Sequence, residues 1–382
     1  MKKQKTVMLT ITEKCNLNCI YCFEENKSFK TMDLATAMTI IETSFSEANA
    51  DEEILFDFMG GEPFSEFHLI REICERTWAR DWENPYAFYV STNGTLLDSE
   101  SKDWLTSNKD RFVCGLSLDG TPDMHNANRS MSYSQIDVRF FKETWPKQSV
   151  KMTVSPLTLS SLASGVIYLH ELGFAVTCNL AYGPDWSAEE LINEYEEQLA
   201  VLVDWYKQHP SIRPCSLLAM DLHEVAYPGN ELHKWCGMGD QMIAYDIAGI
   251  KYPCHYFQGM SSSTLPAEKL WEYDYSRIHL ELEENCKNCI LRNVCPTCYG
   301  NNFVTRGRFG VKEPARCAFK KASALATVAV EYDRLLKKGV NIEDPEHLAE
   351  DDSETIRAAW YIQNAALNDD WSLSYANGGV KS

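Results

Sequence analysis

Three cysteines stand within eight positions in "TEKCNLNCIYCFEE", residues 12–25: Cys15, Cys19 and Cys22. A second group gathers toward the C-terminus: Cys236, Cys254, Cys286, Cys289, Cys295, Cys298 and Cys317. The chain has 14 cysteines in all. In a reducing compartment, clustered thiols more often bind metal or do redox chemistry than pair as disulfides. Three thiolates on one short loop can hold three irons of a cubane [4Fe–4S] cluster, leaving the fourth iron free for another ligand. A structural zinc site wants four closed ligands, and no fourth candidate lies near Cys22. Cys74, Cys114 and Cys178 stand alone in apolar contexts and read as small buried hydrophobes.

Composition narrows the classes. The chain has 382 residues, 45% of them apolar and 12% aromatic, enough for two domains with substantial cores. Its net charge of −19 repels phosphate backbones, which sets nucleic acid aside as a partner. Part of the acidic excess, "EDPEHLAEDDSE" at 343–354, reads as a solvated linker. No apolar run approaches the roughly 18 residues of a membrane-spanning helix. The apolar stretch after residues 1–5 is shorter than the about 7–15 residues of a signal peptide's core. The expectation is a cytoplasmic protein without membrane contact.

The elements that must position the cysteines alternate. Strand patterns at 6–11, 53–59, 86–92, 112–119, 150–156 and 175–182 are each followed by a helical pattern, weakest near 134–147. In the last, Ser187 and Glu190 have capping-box spacing. Six strand–helix units predict right-handed crossovers and a parallel sheet, open or curled into a partial barrel. Active sites of such sheets lie at the carboxyl ends of the strands. Four polar turns fall there: the cysteine loop, "GGEP" (Gly60, Gly61, Glu62, Pro63), "STNGT" from Ser91, and "SLDG" from Ser117.

Cys15-x3-Cys19-x-Tyr21-Cys22 and Gly60-Gly61-Glu62-Pro63 resemble the two motifs of radical S-adenosylmethionine enzymes. The resemblance implies an α/β partial (β/α)6 barrel with a C-terminal cysteine-rich iron–sulfur domain. It implies that S-adenosylmethionine chelates the open iron, that "GGEP" contacts its amino group, and that cleavage yields a 5′-deoxyadenosyl radical. Glu62 would be the acceptor for that ammonium. Tyr21 belongs to the motif. By the same resemblance Ser117, Asp119 and Arg129 sit near the ribose or carboxylate, and Thr92, Asn93 and Leu180 line the pocket.

The second group is similar to the SPASM domain of radical enzymes that modify peptides or proteins. That resemblance assigns Cys286, Cys289, Cys295 and Cys317 to an outer cluster and Cys236, Cys254 and Cys298 to an inner one, three clusters in total. The inner set lacks a fourth ligand. Either Cys215 completes it or the site is open to a substrate thiol. Two residues separate Cys295 from Cys298 where relatives commonly have three. Anaerobic sulfatase maturases, which make formylglycine, place an aspartate base where this chain has His255, and a histidine can accept a proton near neutral pH. The expected activity is crosslinking of a ribosomally made precursor peptide, by a thioether, C–C or C–O bond, with formylglycine formation as the alternative. A non-catalytic iron–sulfur carrier is the alternative of another class. Expected partners are the peptide, a flavodoxin or ferredoxin, and a separate leader-recognition protein. The expected domains are 1–212, the barrel; 213–335, the SPASM-type region; and 336–382, an acidic linker with a last helix.

Overall fold

The computed structural model describes residues 3–261, 265–340 and 348–373. Strand and helix alternate through the first half as the residue patterns predict. β1 (Lys3–Thr12) precedes α1 (Leu34–Glu47), β2 (Glu52–Gly60) precedes α2 (Phe67–Trp78), and β3 (Tyr86–Thr92) precedes α3 (Ser99–Asn108). β4 (Phe112–Leu116) leads to two short helices, α4 (Pro122–Asn128) and α5 (Val138–Thr144). Then come β5 (Val150–Val154), α6 (Leu162–Glu171), β6 (Val176–Leu180) and α7 (Glu189–Gln208).

β1 to β4 pair in parallel in chain order, and β5 pairs in parallel with β6. The two ladders meet only at a Ser117–Lys151 bridge, where the Leu118 N–H donates to the Lys151 carbonyl at 2.9 Å. That narrow seam lets the sheet curl into a partial barrel. The period of two along each strand separates its faces. Val7, Leu9, Ile11, Phe56, Phe58 and Phe88 are buried in the core that includes helix residues such as Ile40 and Ile70. Burying each large apolar side chain contributes about 1.5–3 kcal/mol. Their alternates Met59, Tyr89, Ser91, Lys151 and Thr153 keep partial exposure. The inner face is therefore partly open at these positions, while Met8, Thr10 and Asp57 beside them are buried.

The expected capping box at Ser187 does not form. α7 begins at Glu189 with Ala188 at its cap, and the Ser187 N–H goes to Asp185 Oδ1 at 2.9 Å. A local aspartate turn has outcompeted the helix start.

The second half carries α8 (Leu222–Ala226), β7 (Met242–Tyr245), β8 (Lys251–Tyr252), α9 (Ala267–Leu270), α10 (Glu284–Lys287), α11 (Tyr299–Arg306), α12 (Arg316–Lys337) and α13 (Glu350–Leu367). β7 adds to the free edge of β1 in parallel, so the sheet continues beyond residue 212. Gly249, at φ +78°, turns β7 into antiparallel β8. The Cys236-x12-Gly-x4-Cys254 spacing is this hairpin with a cysteine at each foot. α12 packs on the barrel through Phe319, Ala322, Ala326 and Val330. α13 shares a core with α8 and α12 through Ala358, Ile362, Val225 and Val328, so it is not an appendage. Of the expected acidic linker, residues 343–347 lie outside the described residues. Glu350, Asp351 and Asp352 form the first turn of α13, where the helix dipole favours anions. Among the described residues no helix is long and apolar enough to cross a membrane.

Candidate active site

Cys15, Cys19 and Cys22 lie on the irregular segment that leaves β1. A turn closes it where the Cys22 N–H donates to the Cys19 carbonyl at 3.1 Å. α4 and its C-terminal end hold one side: the Ile20 N–H donates to the Asn128 carbonyl at 3.0 Å, and the Asn18 N–H to Ser130 Oγ at 2.9 Å. The C-terminal region holds the other. The Asn26 N–H donates to the Met260 carbonyl at 3.1 Å, and Phe23 stacks on Tyr256 with ring centroids 5.0 Å apart.

Burial pushes the Cys19 thiol up to about 11, and Cys22 and Cys15 add to the effect. Cys15 is raised for the same first reason. Crowded neutral thiols are a donor set that a positive metal converts to thiolates. Lys27 was not legible as a site residue. Burial opposes its charge, but Cys22 and Cys15 outweigh burial and raise its pKa.

Gly60 and Gly61 are required by close approach to this loop. A Cβ on Gly60, at φ +146°, would lie 2.1 Å from the Thr12 carbonyl oxygen, and one on Gly61 2.3 Å from that of Lys14. The Glu62 N–H donates to the same Lys14 oxygen at 2.7 Å. The Glu62 carboxylate, 1% exposed, departs from its expected task. Its Oε1 accepts from Thr92 Oγ1 at 2.8 Å and the Phe64 N–H at 3.1 Å, and its Oε2 from the Asn93 N–H at 2.7 Å. It ties the β2 turn to the β3 turn instead of facing a ligand ammonium. A ligand at this turn meets main chain. Pro63, also buried, opens a short 3-10 turn.

Tyr21, Asp119 and Arg129 converge. Asp119, fully buried, accepts at Oδ2 from Tyr21 Oη (2.5 Å), Arg129 Nε (2.9 Å) and Asn128 Nδ2 (3.2 Å). Its Oδ1 accepts from the Thr153 N–H at 2.9 Å. The network pins the cysteine loop to the ends of β4 and β5. Asn93 adds a second tie, its Nδ2 donating to Asn16 Oδ1 at 2.9 Å. Ser117 sits partly exposed at the end of β4, its N–H on the Thr92 carbonyl at 2.9 Å. Leu180, at the end of β6, lines a separate cavity of about 640 Å³.

That cavity also contains Cys286, Cys289, Cys295 and Cys317. Burial first, then Cys295, Cys317 and Cys286, push Cys289 up to about 11. Lys312 Nζ donates to the Cys295 carbonyl at 2.7 Å. Cys298 caps α11, accepting from the Asn301 N–H at 3.4 Å. It joins Cys236 and Cys254, and burial first, then these neighbours, push the Cys254 thiol far up. Cys215 is not with them. It is fully buried in the barrel core, its N–H on Tyr206 Oη at 2.8 Å and its thiol near Cys178. The inner set therefore has three cysteines.

Among the described residues no three donors converge as a single metal ion requires. A four-iron cube takes one thiolate at each iron, so three or four neighbouring cysteines are a donor set of the right chemistry for it. His255 Nδ1 lies 3.7 Å from Cys254 Sγ. Burial, then Lys151, press its pKa down to about 4.

Residues 5–137 match a family model described as a 4Fe-4S single cluster domain. The cysteine-type anaerobic sulfatase-maturating enzyme of Clostridium novyi is 33% identical over 151 residues, 36% of this chain and 39% of its own length. The match thus spans about two fifths of that relative. The enzyme of the same description from Clostridium perfringens is 24% identical over 322 residues, 74% of this chain and 84% of its own length. In the solved structures, native anSMEcpe with bound AdoMet superposes with a TM-score of 0.67 at 20% identity, covering 88% of this chain and 99% of that one. The chain therefore shares the fold of that AdoMet-binding protein, and its first third matches an iron–sulfur cluster domain. Streptococcus suis SuiB bound to precursor peptide SuiA shares the fold, with a TM-score of 0.55 at 14% identity over 82% of this chain and 76% of that one. In this chain the cysteine loop, the glycine turn and the β3 and β4 ends share one rim, and Phe23 and Asn26 join it to Tyr256 and Met260 of the C-terminal region.

Proposed function

We propose that this chain is a peptide maturase that removes a hydrogen atom from a precursor peptide held at the barrel and installs a thioether, C–C or C–O crosslink. Cys15, Cys19 and Cys22 would hold a [4Fe–4S] cluster. When bound there, S-adenosylmethionine supplies a carbon radical able to break an unreactive C–H bond. The main chain of Gly60, Gly61, Glu62 and Pro63 would seat the cofactor, with Thr92, Asn93 and Ser117 along the rim. The Tyr21–Asp119–Arg129 network holds the loop in place. Cys286, Cys289, Cys295 and Cys317 would hold a closed outer cluster, and Cys236, Cys254 and Cys298 an inner cluster with one open position.

The observation that carries the reading is a three-thiol loop, packed on a double-glycine turn, at the carboxyl end of a partial parallel barrel. The peptide-bound SuiB structure supports a peptide substrate. We read 1–212 as the barrel, 213–335 as the SPASM-type region and 336–382 as its C-terminal buttress. A flavodoxin or ferredoxin, a separate leader-recognition protein and a cytoplasmic setting complete the proposal. Formylglycine formation is the second reading, favoured by the sulfatase-maturating relatives. Against it stands His255, at the position where the resemblance to sulfatase maturases implies an aspartate.

The test is anaerobic reconstitution with iron analysis and chromatography of 5′-deoxyadenosine. The Cys15/Cys19/Cys22 triple alanine variant should form none, with iron falling from about twelve to about eight per chain. Undiminished product in that variant refutes the mechanism. An iron–sulfur carrier would bind iron in the wild type yet form no product.

A further inference from the structure

The inner face of the barrel holds unpaired polar atoms of opposite hydrogen-bonding sense. Asp57, facing inward on β2 between the outward Phe56 and Phe58, is 8% exposed, and its Oδ1 has no hydrogen-bond partner. Lys151, on β5, donates to Ser91 Oγ at 2.5 Å and lies 5.0 Å over the Tyr89 ring. Gly115 makes room for that ring, since a Cβ there would lie 1.8 Å from the Tyr89 hydroxyl. An ammonium has three donors, so Ser91 leaves Lys151 two. Lys151 acts on Asp57 through space, yet Asp57 Oδ1 stays unpaired. From the C-terminal region Gln258, 2% exposed, enters beside β1: its Oε1 accepts from Thr10 Oγ1 at 2.7 Å, while its Nε2 has no partner.

A buried polar atom left unpaired costs about 1–3 kcal/mol, so these groups favour a guest that pairs them. Above the raised pKa of Asp57, about 7, its charge balances that of Lys151, which disfavours a charged guest. A carboxylate would oppose Asp57, and an ammonium would oppose Lys151. What joins a buried acceptor to buried donors without net charge is a group with an N–H at one end and a carbonyl at the other.

Resting on the peptide-maturase reading, we propose that Asp57 and Lys151 seat an amide group of the substrate peptide inside the barrel. Its N–H donates to Asp57 Oδ1, and its carbonyl accepts from Lys151 Nζ, with Gln258 Nε2 as a second donor. The amide belongs either to the peptide backbone or to an asparagine or glutamine side chain.

The test uses reconstituted holoenzyme, S-adenosylmethionine, dithionite and small perdeuterated probes. One electron from dithionite breaks a C–S bond and releases methionine. The deoxyadenosyl carbon then takes a deuterium atom from the probe, and a second electron and a proton quench the probe radical. Mass spectrometry reads the deuterated fraction of 5′-deoxyadenosine. N-methylacetamide represents a backbone amide, acetamide a side-chain amide, and acetate and ethylammonium the charged competitors. The expected result is deuterium from an amide at least tenfold above either charged probe, and loss of that preference in Asp57→Leu and Lys151→Met. Preference between the two amides assigns the source. Product that carries no amide deuterium, or preference for a charged probe, overturns the assignment while leaving the maturase reading intact. A preference unchanged in both variants also overturns it. Absence of 5′-deoxyadenosine overturns both.

Discussion

Replacing Glu62 with glutamine tests whether this carboxylate is the tie between the β2 and β3 turns. Three donors converge on it at 2.7–3.1 Å: the Thr92 hydroxyl and the main-chain N–H groups of Phe64 and Asn93. Glutamine has one acceptor oxygen where the carboxylate has two. Whichever way the amide turns, its NH2 group faces a main-chain N–H, that of Asn93 on one side or Phe64 on the other. The substitution loses a charge-assisted bond of about 1.5–3 kcal/mol and leaves a buried donor unpaired at about 1–3 kcal/mol. Relief from burying a charge offsets part of this, since burial is the leading force that raises the Glu62 pKa. The net loss is about 2 kcal/mol, a fall in Tm of about 4–8 °C for a domain of 150–250 residues. Glu62→Ala, which leaves all three donors unpaired, should lose about twice as much. Anaerobic thermal melts of the metal-free protein, followed by tryptophan fluorescence, measure both. A Glu62→Gln protein melting within about 1 °C of wild type would refute the argument.

Asp57 gives stability a pH dependence. Burial, opposed by Lys151, pushes its pKa from the ordinary 3.8 up to about 7. The native state therefore holds this proton more tightly than the unfolded chain. Its contribution is full below about pH 4 and is lost as pH rises to about 7, about 4 kcal/mol in all. Asp57→Asn should flatten the dependence of urea midpoints on pH between 5 and 7, and an unaltered slope counts against the burial argument. Cys215→Ala should leave reconstituted iron unchanged, because Cys215 lies in the barrel core; iron loss would return it to the inner set. Ending the chain after Asn368 removes the bonds from the Ile290 N–H to the Trp371 carbonyl (2.8 Å) and from the Leu373 N–H to the Asn288 carbonyl (2.5 Å), which flank Cys289. That protein should bind about four fewer irons yet still form 5′-deoxyadenosine, whereas full iron would show that the C-terminal segment does not brace the outer set.

Spacing alone exposed much of the site. Cys15, Cys19 and Cys22 are close in the chain, so their meeting needs only a loop. The double glycine was legible because main chains approach within a Cβ's width there, a constraint glycine answers wherever it occurs. Six alternating strand and helix patterns were enough for a parallel sheet, open or curled, since each pattern buries one face, and the family resemblance alone implied the partial barrel. Asp57 and Lys151 escaped notice because single polar residues in apolar strands have no spacing that links them. Only the curl of the sheet, closed at the Ser117–Lys151 bridge, brings them to one interior. The same limit applied to Glu62, whose carboxylate could be read as a ligand acceptor until Thr92 and Asn93, thirty residues on, were folded against it. His255 reads as a free imidazole in the sequence, and its burial beside Cys254, which presses its pKa down, is visible only in the fold. Cys215 was an open choice in the chain, and a buried place beside Cys178 removed it. Residue type and local spacing determined which chemistry the chain can carry. Which polar groups remain unpaired, and how tightly each proton is held, depend on burial and on neighbours distant in sequence, and tertiary structure alone decides them.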